Sequence, residues 1–161
     1  MSSTISPAPV RKSIHVKAPP QKAFQVFTAG IGSWWLKRHS INKQSAQADV
    51  VMEPFAGGRW FERGEDGSEC SWGKVLIWEP PARLVLAWQI DGTWTHNPDF
   101  MTEVEVRFTA EDKGTRVDLE HRHLARYGAQ AATARAALDS PEGWSGLLQS
   151  YATAASNGGT A

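Results

Sequence analysis

The chain has 161 residues, with 17 basic and 17 acidic side chains and one cysteine. That length fits one domain, which buries roughly 70% of the surface its unfolded chain exposes. The charge balance gives no global field to attract nucleic acid or an anionic membrane, and Cys70 alone excludes an intramolecular disulfide and a cysteine-based zinc site.

Residues 1–9, MSSTISPAP, are small, polar and proline-bearing. They predict a loose tail, followed by a single domain over 10–155 and a second tail over 156–161. The first residues lack a signal-peptide core, and nowhere do about 18 apolar residues run together, so the expected compartment is the reduced cytoplasm. Val10, Ile14 and Val16 alternate with Arg11, Ser13 and His15, the period of a half-buried strand, which Lys12 interrupts. Pro19 and Pro20 stop that strand and open a short helix through Phe27, with Ala23, Phe24 and Phe27 on one side. A second short helical piece is predicted over 33–36, then a polar loop over 37–47, a strand near 49–53 and a turn over 54–58.

The most informative stretch is 57–91, GGRWFERGEDGSECSWGKVLIWEPPARLVLAWQID, where three apolar, tryptophan-bearing runs are separated by two turns. Gly64-Glu65-Asp66-Gly67 contains an Asp-Gly step suited to positive φ, and Glu79-Pro80-Pro81-Ala82 contains two prolines that cannot donate to a ladder. The runs therefore read as consecutive antiparallel strands carrying Trp60, Trp72, Trp78 and Trp88. That is more indole than a small core needs for closure, and the surplus predicts a lined cavity. Alternation does not assign a face to Trp72 or Trp78, because 75–78 is apolar on both faces.

After a turn-rich loop, Val104, Val106 and Phe108 alternate with Glu103, Glu105 and Arg107 in an amphipathic strand over 102–108. Asp112-Lys113-Gly114 turns the chain into 115–123, where Val117, Leu119, His121 and His123 share one face, predicting an antiparallel sheet with one wet side. An alanine-rich helix is expected over 129–138. Ser140-Pro141-Glu142 then supplies an N-cap, a first-turn proline and a first-turn acid for the last helix, whose Trp144, Leu147, Leu148 and Tyr151 form one stripe.

Strand, two short helices, six strands and a long C-terminal helix is the order of the helix-grip fold, an α+β architecture in which a curved antiparallel sheet wraps the last helix. Several runs bring the resemblance closer: Ile31-Gly32-Ser33-Trp34-Trp35, Glu53-Pro54, Gly57-Gly58-Arg59-Trp60, Trp72-Gly73-Lys74-Val75, Trp78-Glu79-Pro80-Pro81, 84–88 and Val117-Asp118-Leu119-Glu120-His121. They resemble bacterial SRPBCC proteins of the START-like superfamily. The branch is the one similar to the C-terminal domain of the activator of the ninety-kilodalton heat-shock protein ATPase, and the similarity covers about 10–151. That superfamily includes lipid carriers, hormone receptors, polyketide cyclases and aromatases, a drug-sequestering resistance protein and the co-chaperone, so the fold does not choose a chemistry. The co-chaperone acts through two domains, and this chain has room only for the C-terminal type.

His121 and His123, two apart on a predicted strand, are expected to point to the helix-facing side, either as ligand contacts or as hydrogen-bonded structural groups. No further ligand pattern near them supports a metal, and no cofactor motif is present. Trp34, Trp35, Trp72, Trp144 and Tyr151 come from three separate elements that could wall a cavity, against the alternative of plain core packing. The charged residues 62–69 read as a solvated turn, except that Glu62 follows Trp60 to whichever face it occupies. Cys70 reads as a structural thiol. A small, largely apolar ligand held between sheet and last helix is the leading expectation. The alternatives are a co-chaperone-like domain with a chaperone partner, and a cyclase or hydrolase using a cavity histidine as base. Either a monomer or a homodimer fits.

Overall fold

Seven strands form one antiparallel sheet in the spatial order β1-β7-β6-β5-β4-β3-β2 in this computed structural model, which describes residues 8–157. The strands are β1 (Val10–Val16), β2 (Gln47–Met52), β3 (Arg59–Gly64), β4 (Glu69–Glu79), β5 (Arg83–Trp88), β6 (Thr102–Glu111) and β7 (Gly114–Arg122). Three helices accompany them: α1 (Pro20–Thr28), α2 (Ala131–Asp139) and α3 (Gly146–Asn157). The helix-grip architecture is the one that the element order implies. Residues 1–7 and 158–161 of the expected tails lie outside the described residues; Ala8 and Pro9 offer their carbonyls to Arg135, and α3 runs to Asn157.

Two register shifts in β4 bend the sheet, beside a third in β2 between Gln47 and Asp49. Trp60 pairs with Gly73 but Phe61 pairs with Ser71, so Trp72 is an extra residue in β4; Val75 pairs with Leu86 but Ile77 with Val85, leaving Leu76 as a second. Such bulges sharpen the local twist and re-aim side chains. The first explains why alternation could not place Trp72: the bulge brings it to the buried side, stacked on Trp60 at 5.8 Å and 27°. Trp78 instead lies half-buried, edge-on to Phe24 of α1 at 5.0 Å.

Gly73 sits where the bulge presses β4 onto β5, and a Cβ there would lie 1.8 Å from the Ala87 carbonyl oxygen. Gly73→Ala is expected to lower unfolding stability by about 2 kcal/mol through this overpacking. An unchanged urea midpoint would show that the two strands re-space freely.

The core lies between the concave face of the sheet and the helices. Leu84, Leu86, Val104, Val106, Val117 and Leu119 are buried from the sheet side, and Phe24, Phe27, Leu147, Leu148 and Tyr151 from the helix side. On the convex face, Glu105 is almost buried beneath Arg83, Arg107 and Arg122, so the wet side is laced by ion pairs.

Two local expectations are revised. The piece predicted over 33–36 is a bend, with Trp34 and Trp35 between 3-10 turns at Ile31–Ser33 and Lys37–His39. Ser140 does not cap a helix: its hydroxyl donates backwards to the Ala137 carbonyl at 2.7 Å. A wide turn follows at Pro141–Ser145, broken at Gly143 (φ −100, ψ −129), before α3 starts. The physical reason is close approach. A Cβ on Gly143 would meet the carbonyl oxygens of Leu138 at 2.4 Å and Ala137 at 2.5 Å, so only glycine lets this turn sit on the end of α2.

Candidate functional site

A cavity of about 420 Å³ lies between the sheet, the turn before α3 and two loops. Its lining carries five indoles, with those of Trp35, Trp72, Trp88 and Trp144 forming the inner wall and that of Trp94 at the mouth. Trp35 comes from the bend after α1, Trp72 from the β4 bulge, Trp88 from the end of β5 and Trp144 from the Gly143 turn, so four separate local structures converge. Ring centroids lie 5.2 Å apart for Trp35 and Trp72, 5.3 Å for Trp72 and Trp88, and 5.7 Å for Trp88 and Trp144. Trp60, fully buried, backs this wall. Leu138, Leu147 and Ile41 add aliphatic surface, while His39, Ser40, Lys43, Thr93, Ser140 and Glu142 supply polar groups.

Hydrogen bonds from behind the wall fix three of the indoles. Trp72 donates to Glu62 Oε1 at 3.1 Å, Trp144 donates to His121 Nδ1 at 3.1 Å, and Trp88 donates to the Tyr127 hydroxyl at 3.0 Å. The Tyr127 hydroxyl in turn donates a hydrogen bond to the Ile90 carbonyl at 2.9 Å, and burial pushes its pKa up to about 12. Each bond holds one ring at one angle, because a buried polar group left unpaired is costly.

Glu62 does follow Trp60 to the concave side and is fully buried. Its carboxylate accepts from Ser40 Oγ at 2.5 Å, from the Ile41 amide at 2.7 Å and from Trp72. It is thus a clasp that ties the loop bearing His39–Lys43 to the tryptophan wall. The neighbouring acids Asp66 and Glu69 stay exposed at the hairpin, as a solvated turn requires.

His121 is buried and held at both nitrogens. Because Nδ1 accepts from Trp144, the proton is assigned to Nε2, which donates to Thr102 Oγ1 at 2.7 Å. Burial lowers its pKa to about 3, so the ring is neutral near pH 7. His121 does not line the cavity; it steadies Trp144, which does. The expectation that His123 shares its side is corrected. Strand β7 ends at Arg122, and His123 adopts a left-handed φ of 67, which turns its ring outward, 44% exposed and 3.7 Å from Glu103. A histidine base beside an open cavity is therefore not built from either residue.

Trp34 and Tyr151 lie behind the cavity rather than on it. Both pack on Phe27, at 5.0 and 5.1 Å, and Tyr151 donates to the Ala23 carbonyl at 2.7 Å, locking α3 onto α1. Burial raises the Tyr151 pKa. Partial burial, with Glu62 and Asp66 nearby, raises that of Cys70, which keeps it in the unreactive thiol form.

Sequence reasoning missed the rim. Residues 37–47 read as a polar loop, with no local signal that His39, Ser40, Ile41 and Lys43 fold over the cavity mouth. Trp94 was likewise unassigned, yet it is 45% exposed at the mouth with φ 58, on a loop organised by Asp91, whose carboxylate accepts from the Thr93 and Thr95 amides. An exposed tryptophan in a left-handed conformation is the one feature here that invites functional attention before any comparison. Among the described residues no cluster of three or more His, Cys, Asp or Glu could hold a metal, and no helix is long and apolar enough to cross a membrane.

Comparison with known proteins places this geometry in a family. Residues 17–154 match the family described as Activator of Hsp90 ATPase homolog 1-like protein. No curated protein sequence matches the chain. Among solved structures, an anthrahydroquino-γ-pyrone synthase, Txn09, complexed with SUM, is 40% identical, with 92% of this chain and 97% of that chain covered and a TM-score of 0.64. The self-sacrificing resistance protein CalC from Micromonospora echinospora is 32% identical, with 95% and 97% covered and a TM-score of 0.71. The Aha1 dimer from Colwellia psychrerythraea shares the fold at 18% identity, with 95% and 99% covered and a TM-score of 0.63. A family match spanning most of the chain, joined to a helix-grip sheet closed by α3, makes this chain a member of the Activator of Hsp90 ATPase homolog 1-like family, within the SRPBCC proteins.

Proposed function

We propose that this protein binds a planar, largely apolar polycyclic aromatic molecule in the tryptophan-walled cavity. The observation that carries the reading is the convergence of five indoles, four on the inner wall and Trp94 at the mouth, on one cavity of about 420 Å³, within the size range of small-molecule sites. Indole faces and edges attract flat rings by stacking and by apolar burial together. The hydrogen bonds behind the wall hold the rings before a ligand arrives, which lowers the ordering cost of binding. The name of the synthase, 40% identical over nearly the whole chain, supports a fused aromatic ring system as the ligand class. A chaperone partner is implied only by the family's description, and a chaperone ATPase assay with and without this chain tests it separately.

Calorimetric titration with anthraquinone-2-carboxylate, a soluble three-ring probe, is expected to give about micromolar affinity or tighter, given ordinary ligand efficiencies. Ala137 lines the cavity from α2, and Ala137→Phe should fill the space and weaken binding at least about tenfold, since a filled site no longer offers apolar area. No heat and no displacement of native tryptophan fluorescence with this probe would remove the aromatic-binder reading, as would equal affinity in a folded Ala137→Phe variant.

A further inference from the structure

We infer that the cavity selects aromatic ligands that present an oxygen acceptor to the indole N–H of Trp35 and an acidic group to Lys43; this rests on the aromatic-binder reading. The argument is an inventory of donors. Of the five indoles lining the cavity, Trp94 stands exposed at the mouth, and three of the four inner ones have their N–H engaged, with Glu62, Tyr127 and His121. Trp35 is the exception: it is 4% exposed, and its buried Nε1 has no hydrogen-bond partner. The hydroxyls of the lining are engaged as well. Ser40 donates to Glu62, Thr93 to Asp91 and Ser140 to the Ala137 carbonyl. Lys43, at the rim, has no ion pair or hydrogen bond among the described residues.

The buried Trp35 N–H and the Lys43 ammonium therefore stand together on the side of the cavity built from the segment 35–43, away from the exposed Trp94 indole at the mouth. A buried donor with no acceptor needs an explanation, and an acceptor arriving with the ligand supplies one. Trp60 also has an unpaired Nε1, but it does not line the cavity. The competing account is internal. Trp35 stands edge-on to Trp60 at 5.6 Å and 90°, so its N–H could rest against an aromatic face, a weaker contact than a hydrogen bond to oxygen. A ketone or phenol oxygen fits the Trp35 donor. A carboxylate or phenolate fits Lys43, whose exposure makes its attraction salt-sensitive.

The test pairs ligands that differ in one group. Anthraquinone-2-carboxylate and anthracene-2-carboxylate share the acid and differ in ring carbonyls; anthraquinone-2-carboxamide keeps the carbonyls and removes the charge. Wild-type protein is expected to prefer the quinone acid over the anthracene acid by about five- to tenfold, the worth of one hydrogen bond in a buried site. Replacing Trp35 by 3-benzothienylalanine, which keeps the ring shape without the N–H, should abolish that preference, and Trp35→Phe provides a second variant. Lys43→Met should abolish the preference for acid over carboxamide, which should also shrink at high salt in wild type. If all three probes bind the wild type alike, or if the preferences survive both substitutions, the selectivity inference is overturned while the aromatic-binder reading stands. If none binds, both fall.

Discussion

Glu62→Leu is expected to lower the stability of the protein by about 3–5 kcal/mol, because it strips the acceptor from three buried donors at once. Three donors converge on that carboxylate: the Ser40 hydroxyl, the Ile41 amide and the Trp72 indole. Leucine fills the volume but leaves all three without an acceptor, each at a cost of about 1–3 kcal/mol before relaxation. Glu62→Gln is the discriminating control. Oε1 receives both N–H donors, so the glutamine carbonyl can keep them, and the Ser40 hydroxyl can rotate to accept from the new amide instead. The Gln variant should therefore lose only about 1 kcal/mol and retain the cavity. Urea unfolding separates the two, and amide exchange at Ile41 reports whether the rim loop has come loose. A leucine variant as stable as wild type would show that Glu62 clasps nothing.

How much of this could be read beforehand divides by range along the chain. Strand β1 and the pair β6–β7 were legible because alternation is local in each, interrupted in β1 only at Lys12, and the curled sheet followed from their order. The indole surplus in 57–91 pointed to a cavity, and Trp35, Trp72 and Trp144, taken from three separate elements as its walls, do line it. What failed did so where geometry departs from a period. A bulge decides the face of Trp72, a left-handed residue turns His123 out of phase, and a glycine packed on α2 replaces the helix start expected at Ser140. Trp88 and the rim residues were out of reach for another reason: they meet only through contacts between segments far apart in sequence, as Trp88 does with Tyr127, and no local pattern encodes those. Glu62 lay between the two cases, since its face followed from Trp60 but its three donors did not.

Stability should fall steeply on acidification before most carboxylates titrate, and His121 is the main reason. Its folded pKa is near 3 because burial disfavours the imidazolium, whereas an unfolded histidine titrates near 6.5. Below about pH 6.5 the unfolded chain therefore binds a proton that the native state refuses, so stability is lost as pH falls through the window from 6.5 toward 3. Above it, this group contributes no slope. Well below pH 6.5 each pH unit is worth about 1.4 kcal/mol, which integrates to about 2 kcal/mol between pH 6.5 and 4.5. His96, also lowered by burial, adds to the same window in the same direction. Urea unfolding at several pH values in that interval measures the slope. His121→Gln, which can still accept from Trp144 and donate to Thr102, should remove most of it. An identical slope in the variant would assign the acid sensitivity elsewhere. The same proton bears on the cavity. Protonated Nδ1 would face the Trp144 N–H, donor against donor, so native protein forced to take up that proton would have to release Trp144 from its bond. Binding of the aromatic probe is then expected to weaken in acid together with stability in wild type, and to lose that coupling in the His121→Gln variant.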